Sequence, residues 1–287
     1  MAKILIAGCG DIGCQLGQRL TQLGHSVSAM RRQVGQIPKD ISPIQHDLTQ
    51  PFPKDLPYFD YVFYTASASQ YKDSAYYQAY VLGLKNLIHA LNEAPPKHLF
   101  FTSSTSVFGQ SDGEWVSEDS PTSDSSFSAR RLLQGEQLLR DSDLPFTIVR
   151  FGGIYGPGRT HLIDLVKVGK ARCMEGIYSN RIHSADAVGI LLHLMQLVEQ
   201  DHIVDSLYIA VDDQPTLTCE VFDWLAEQLN VGELTHQEPT ETSRQLRSNK
   251  RLSNAKIKGT GYQFQYPNYQ SGYSELIQQM LTQSDQQ

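Results

Sequence analysis

A chain of 287 residues exceeds the common single-domain size, so one large α/β domain with an added lobe, or two domains, is the starting expectation. Hydrophobic residues make up 40% and charged residues 19%, an ordinary globular balance that excludes a disordered or fibrous chain. The net charge of -7 argues against a face built to neutralise nucleic-acid phosphates, and no apolar run approaches the ~20 residues needed to cross a bilayer, so neither nucleic acid nor membrane is an expected partner.

Lys3 to Ala7 reads as a short apolar strand that runs directly into Gly8-Cys9-Gly10-Asp11-Ile12-Gly13, after which Cys14 to Leu23 carries helical spacing. Gly24-His25 turns the chain into a second strand, Ser26 to Met30, so residues 3–30 form a βαβ unit. Pro43 to Gln45 is a candidate third strand and Tyr61 to Thr65 a fourth. Tyr76 to Leu91 has helical periodicity that Pro95-Pro96 stops, and His98 to Ser103 is the next strand. Residues 110–128 read as a loop, Ala129 to Arg140 as an amphipathic helix and Phe146 to Phe151 as another strand.

Gly152-Gly153 and Gly156-Pro157-Gly158 then mark turns around Tyr155. Ala185 to Val198 is an apolar helix with Ser184 as N-cap and Asp186 in its first turn; a strand at Leu207 to Ala210 and a helix at Val221 to Leu229 follow. Glu233 to Lys258 is polar and basic-tinged, with Lys250-Arg251-Leu252-Ser253-Asn254 a basic patch in an acidic chain, and Thr282 to Gln287 reads as a frayed tail. Strands alternating with helices predict an α/β fold, a doubly wound parallel sheet of the Rossmann type with a smaller C-terminal substrate lobe. The expected division is a dinucleotide-binding domain over 1–151, completed by about 184–211, and a lobe formed by 152–183 and 212–287.

Between a strand and a helix, Gly8 permits the tight turn, Gly10 lets the backbone approach a pyrophosphate, and Gly13 allows the helix to pack closely on the strand. The amides of the first helical turn, around Asp11 and Ile12, and the positive end of the helix dipole then meet the phosphates. NAD-binding versions carry an Asp or Glu about 20 residues on, for the ribose 2′-hydroxyl. Here Arg31 and Arg32 stand in that place, and a guanidinium pairs with a 2′-phosphate where a carboxylate would repel it. NADP(H) is therefore the expected cofactor, with NAD(H) the alternative, and Asp47, after the third strand, is a candidate for the adenine edge.

The start Met-Ala-Lys-Ile-Leu-Ile-Ala-Gly lacks the cationic start and long apolar stretch of a signal peptide, so a cytoplasmic protein is expected. Cys9, Cys14, Cys173 and Cys219 are too few and too scattered for a disulfide framework, and neither C-x-x-C nor a His/Cys cluster has ligand spacing. All four read as reduced thiols, and no metal is expected.

Further runs join the glycine loop: Thr65-Ala66-Ser67-Ala68, Thr102-Ser103-Ser104-Thr105-Ser106-Val107-Phe108-Gly109, Arg150 with Gly156-Pro157-Gly158-Arg159, and Arg181-Ile182-His183-Ser184-Ala185-Asp186. On these the chain resembles the extended and atypical short-chain dehydrogenase/reductase superfamily, which includes nucleotide-sugar epimerases and dehydratases, over nearly its whole length. The resemblance implies cofactor contacts at Thr65, Ala66 and Ser67, a serine at Ser104 that bonds the substrate's reacting oxygen, and a substrate contact at Thr105. It also implies a tyrosine acid/base with a lysine four residues later. Anchored on Glu136-Gln137, those positions hold Ser128 and Leu132; a one-residue shift gives Phe127 and Arg131. A serine hydroxyl is far harder to ionise than a phenol, and leucine holds neither ribose nor proton. The departure resembles the atypical subgroup that keeps fold and glycine loop but loses the pair. Ser128 and Arg130 then become alternative site residues, against the plainer reading of a helix cap and a solvated arginine.

Tyr155 follows the strand that ends near the nicotinamide in such folds, Arg159 is a candidate anchor for a substrate anion, and His183 a substrate contact or scaffold. The reading that results is an NADP(H)-binding oxidoreductase or epimerase-like enzyme acting on a small polar substrate, nucleotide sugars being one class, as a monomer or homodimer. The alternative is a non-catalytic sensor of dinucleotide or metabolite on the same fold.

Overall fold

The structure, a computed structural model, describes residues 1–53, 56–232, 234–238 and 249–284. In chain order the elements are β1 Lys3–Ala7, α1 Asp11–Gln22, β2 Ser26–Arg31, β3 Ser42–Gln45, β4 Tyr61–Tyr64, α2 Asp73–Tyr76, a π-helical run Tyr77–Leu82, α3 Gly83–Leu91, β5 His98–Ser104, β6 Trp115–Val116, α4 Phe127–Arg140 and β7 Phe146–Phe151. There follow β8 Gly153–Tyr155, α5 His161–Lys167, β9 Arg172–Met174, β10 Tyr178–Ser179, β11 Arg181–His183, α6 Ser184–Glu199, β12 Leu207–Ala210, β13 Thr216–Leu217, α7 Thr218–Gln228, β14 Thr235–Gln237, β15 Arg251–Leu252, α8 Ala255–Gly259 and α9 Tyr269–Ser284.

Ile4, Leu5, Ile6 and Ala7 are all fully buried, as a strand covered by helices on both faces requires. They sit inside a seven-stranded parallel sheet of order β12-β7-β5-β4-β1-β2-β3. The chain leaves β1 toward β2 and β3 and returns on the other side with β4, so the order reverses between β1 and β4. In such sheets ligands bind outside the carboxyl ends of the strands at that reversal. There Ala7 lies level with Met30 on one side and Tyr64 on the other.

The chain divides into two compact units. The first comprises Met1–Val107, Thr122–Arg150 and Val188–Tyr208; Leu5, Val62, Leu84, Leu87, Phe101 and Ile148 lie in its core. The second comprises Phe108–Pro121, Phe151–Ala187 and Ile209–Gln287, with Tyr155, Ile163, Phe222, Leu225 and Tyr273 packed between α5, α7 and α9.

Four local readings of the sequence change. The helix read over Tyr76 to Leu91 widens into a π-turn at Tyr77–Leu82, where the Ala79 carbonyl accepts the Tyr64 hydroxyl at 2.5 Å. The stretch 110–128 contains β6, whose parallel partner is β15, with Trp115 opposite Arg251; a partner that distant leaves no local period to read. Ser184 does not cap α6: the Ala185 amide donates to His183 Nδ1 at 3.2 Å, and the buried Ser184 hydroxyl has no partner among the described residues. Cys173 and Cys219, read as reduced thiols, are joined in a disulfide with Cα atoms 4.9 Å apart, because β9 and α7 bring together residues 46 positions apart; Cys9 and Cys14 are free.

Of the polar segment Glu233 to Lys258, residues 233 and 239–248 lie outside the described residues, as do 285–287 of the tail. Thr282 to Ser284 continue α9.

Candidate functional site

The glycine loop is built by three different steric demands. Gly8 has φ +88°, and a Cβ there would lie 2.5 Å from the Ala66 amide nitrogen, so the turn out of β1 requires glycine. Gly13 brings α1 against β1 and β4, since its Cβ would stand 2.7 Å from Thr65 Oγ1 and 3.0 Å from Ile6 Cγ2. A Cβ on Gly10 would meet nothing nearer than the Gly8 carbonyl at 4.0 Å, leaving open space above the loop. Gly10 is also the N-cap of α1 and contributes no side-chain hydrogen bond there. The amides of a first turn lack partners in the helix's own ladder and carry the positive end of its dipole. Thr65 Oγ1 donates to the Gly8 carbonyl at 3.0 Å, tying the end of β4 to the loop.

Within the first unit a cleft of about 510 Å³ opens over this loop. Of the residues singled out in the sequence, Gly8, Gly10, Arg31, Arg32, Asp47, Ala66 and Ser67 line it. Gly13 and Thr65 stand behind the lining as packing and tether, Ile12 is buried, and the Asp11 carboxylate accepts from Gln15 Nε2 at 2.6 Å. The cleft also takes in residues the sequence reading missed, among them Gln33, His46, Thr49, Ser69, Gln78 and Ala79. His46 could have been found, because it directly follows the third strand. Gln78 and Ala79 carried no signal, since they reach the cleft from the π-turn.

β2 ends on Arg31, whose Nη2 donates to Gln36 Oε1 at 2.6 Å. Asp47 Oδ1 accepts from the Thr49 amide at 3.0 Å and its hydroxyl at 2.9 Å. The amide bond first, and then the hydroxyl and the nearby Arg32, hold this carboxyl below the usual range against its partial burial. Cys9 Sγ lies 3.0 Å from Cys14 Sγ; burial, reinforced by Cys14, pushes the Cys9 thiol far up, so Cys9 is a small neutral filler.

Neighbouring serines at the end of β5 point to opposite faces, as strand geometry dictates. Ser103 Oγ donates at 2.8 Å to the buried Glu136, which also receives Arg150 through Nε at 2.9 Å and Nη2 at 2.6 Å. Ser104 is half-buried, and its Oγ accepts from the Ser106 amide at 3.2 Å; Thr105 opens the single 3-10 turn that follows. On α4 the N-cap is Ser126, which accepts from the Ala129 amide at 3.1 Å. Ser128 is buried with its Oγ 3.0 Å from that of Ser126, and Leu132 is in the core. Arg130 is exposed, with Nη2 3.5 Å from the Asp124 carbonyl, whereas Arg131 grips Asp73 through Nε at 2.8 Å and Nη2 at 2.9 Å.

Tyr155, Arg159 and His183 belong to the second unit. β8 and β11 pair in parallel and set Tyr155 opposite His183, with ring centroids 5.3 Å apart; the tyrosine stacks on Tyr273 at 4.4 Å. Burial raises the Tyr155 phenol strongly, leaving it a donor rather than a base. Burial lowers His183, whose Nδ1 accepts the Ala185 amide, so the neutral ring carries its proton on Nε2. Arg159 is exposed just after the Gly156–Gly158 turn, its amide bonded to the Gly156 carbonyl at 2.9 Å. Asp212, also in this unit, is buried, and burial outweighs the Arg181 guanidinium to lift its carboxyl to about 7. Among the described residues no helix is long and apolar enough to cross a membrane.

A doubly wound sheet, a glycine turn at its reversal point and a cleft over that turn place the chain in the class of Rossmann-type folds. Residues 4–203 match the profile of the NAD dependent epimerase/dehydratase family, and the chain belongs to that family, within the extended and atypical short-chain dehydrogenase/reductase superfamily. It is similar to the solved structure of a protein assigned as an NAD-dependent epimerase/dehydratase from Methylobacillus flagellatus, at 35% identity over 97% of this chain and 98% of that one, with a TM-score of 0.81. A human epimerase family protein solved with NADPH shares 20% identity over 96% and 99% of the two chains, TM-score 0.78. A UDP-glucose 4-epimerase from Thermotoga maritima solved with UDP-glucose shares 15% over 98% and 99%, TM-score 0.79. The last two likenesses are of fold. No curated protein matches this chain.

Proposed function

We propose that this chain is an NADP(H)-dependent enzyme of the epimerase or oxidoreductase kind, acting on a small polar substrate of the nucleotide-sugar class. The observation that carries the cofactor choice is the cleft wall at the end of β2, where Arg31 and Arg32 stand in place of a carboxylate. A planar guanidinium pairs with a phosphate through two charge-assisted hydrogen bonds, and Gln36 holds that of Arg31 beside the cleft. The open space over Gly10 is the cradle that a pyrophosphate needs.

When bound, the nicotinamide supplies hydride transfer. The protein's part is to hold the phosphates on the loop amides, to line the ribose side with Ala66 and Ser67, and to orient the reacting oxygen with the Ser104 hydroxyl, Thr105 alongside. Arg159 offers a cation to the substrate. Ser128 and Leu132 provide no phenol–ammonium pair, which is the observation favouring the second reading, a protein that binds dinucleotide or metabolite without turnover.

Thermal shift at equal concentrations tests the cofactor reading: NADPH should stabilise the chain more than NADH, and Arg31→Asp should reverse the order. An order that Arg31→Asp leaves unchanged refutes it. Following the absorbance of reduced nicotinamide against a panel of nucleotide sugars and carbonyl metabolites separates the two readings, since tight binding without turnover is the signature of the second.

A further inference from the structure

The second unit holds a cluster that the cofactor cleft does not use. β9 and β14 pair in parallel with Cys173 opposite His236, so the thiol and the imidazole emerge on the same face. α7 adds Cys219, and one donor atom from each of these three residues lies within 4.8 Å of the others. Cys173 is fully buried and Cys219 nearly so, while the His236 side chain is 38% exposed. The imidazole is held from both edges, with Asp223 Oδ1 2.9 Å from Nε2 and Glu175 Oε1 3.5 Å from Nδ1.

We propose that the dithiol form of this cluster binds one zinc-class divalent cation through Cys173, Cys219 and His236 Nδ1, with Glu175 closing the fourth position and Asp223 fixing the ring through Nε2–H. Two thiolates and an imidazole select zinc or cobalt over magnesium or calcium. Tetrahedral zinc with bonds of about 2.3 Å to sulfur and 2.0–2.1 Å to nitrogen sets its sulfurs about 3.8 Å apart and its nitrogen about 3.4 Å from a carboxylate oxygen. The observed separation of 3.5 Å between Nδ1 and Glu175 is close to that edge; binding then parts the two sulfurs once their bond is cut and swings the Glu175 carboxylate, which lies outside the 4.8 Å cluster, toward them. A carboxylate on the far nitrogen of a ligating histidine is the usual outer support of such sites.

The disulfide is the oxidised form of the same pair. An added phosphine opens it in water: phosphorus gives two electrons to the S–S bond, one water molecule supplies the two protons of the thiols and its oxygen to phosphorus, and the phosphine leaves as its oxide. Binding the cation then releases both thiol protons.

The test uses the full chain, metal-stripped, reduced with a phosphine and titrated with Co²⁺. One equivalent should produce a thiolate-to-cobalt charge-transfer band and the intense visible bands of a tetrahedral site, and Zn²⁺ should displace it. Cys173→Ser and Cys219→Ser should abolish the bands, and a Cys9→Ser/Cys14→Ser variant should keep them. His236→Ala, which leaves both cysteines and the core in place, should weaken binding at least tenfold, and Asp223→Asn about 10–100-fold. Absence of these bands in protein whose four cysteines all react as free thiols, or bands that survive His236→Ala at unchanged affinity, would overturn the proposal and leave a plain disulfide staple.

Discussion

Gly10→Ala separates holding the phosphates from holding the fold. Gly10 has φ −85°, outside the left-handed region, and an added methyl group finds no atom nearer than 4.0 Å. The unliganded protein should therefore lose nothing, and should gain about 0.4–1 kcal/mol from a stiffer unfolded chain. The same methyl group occupies the space in which a phosphate oxygen would sit about 2.7–3.2 Å from a loop amide. One carbon forced into a filled contact costs about 1–3 kcal/mol, or about 5- to 150-fold in affinity. Urea denaturation without ligand gives the first quantity and fluorescence titration with NADPH the second. A Gly10→Ala protein that binds NADPH like the parent would show that no phosphate lies over this residue, and one that weakens in urea would show that the added methyl group does not meet open space.

Gly13→Ala should behave in the opposite way, since its methyl group must displace the Thr65 hydroxyl 2.7 Å away from its bond to the Gly8 carbonyl; a loss of about 2–4 kcal/mol in urea is expected, and a loss below about 1 would refute the packing argument. Glu136→Ala leaves the buried Arg150 guanidinium without its carboxylate and should cost about 3–5 kcal/mol, read by chemical denaturation, with Glu136→Leu/Arg150→Met recovering much of it. Asp212 has a folded pKa of about 7 against an ordinary 3.8, so the fold binds its proton more tightly than the unfolded chain does. The stability this contributes is complete below the ordinary value and is lost as pH rises through about 7. Asp212→Asn should flatten that stretch of the urea-midpoint profile, and an unchanged slope would count against a buried neutral carboxyl.

The βαβ start was legible because its strand is one uninterrupted apolar run from Ile4 to Ala7 and its turn needs glycine for reasons that act within a few residues. Arg31 was legible for the same reason, as the last residue of the strand beside that turn. Long-range pairings were not: β6 meets β15, and Cys173 meets Cys219 and His236, through register between segments far apart in the chain. The cap of α6 was misread because a short hydroxyl residue stood in the usual place while the histidine before it accepted the amide. Gln78 and Ala79 reach the cleft only because the helix widens there, and widening leaves no mark on apolar periodicity. The missing tyrosine and lysine were readable directly, and the structure adds that Ser128 and Leu132 are enclosed in packing.

Strand β3 ends the sheet on one side with only four residues, and Pro43 is its second. The amide of His46 donates inward to Arg31, so by alternation the outward-facing donors of this strand belong to Pro43 and Gln45, and proline has none to give. A foreign strand laid against this margin would find half of its donors missing, which protects a nearly all-buried apolar sheet from growing by recruitment of other chains.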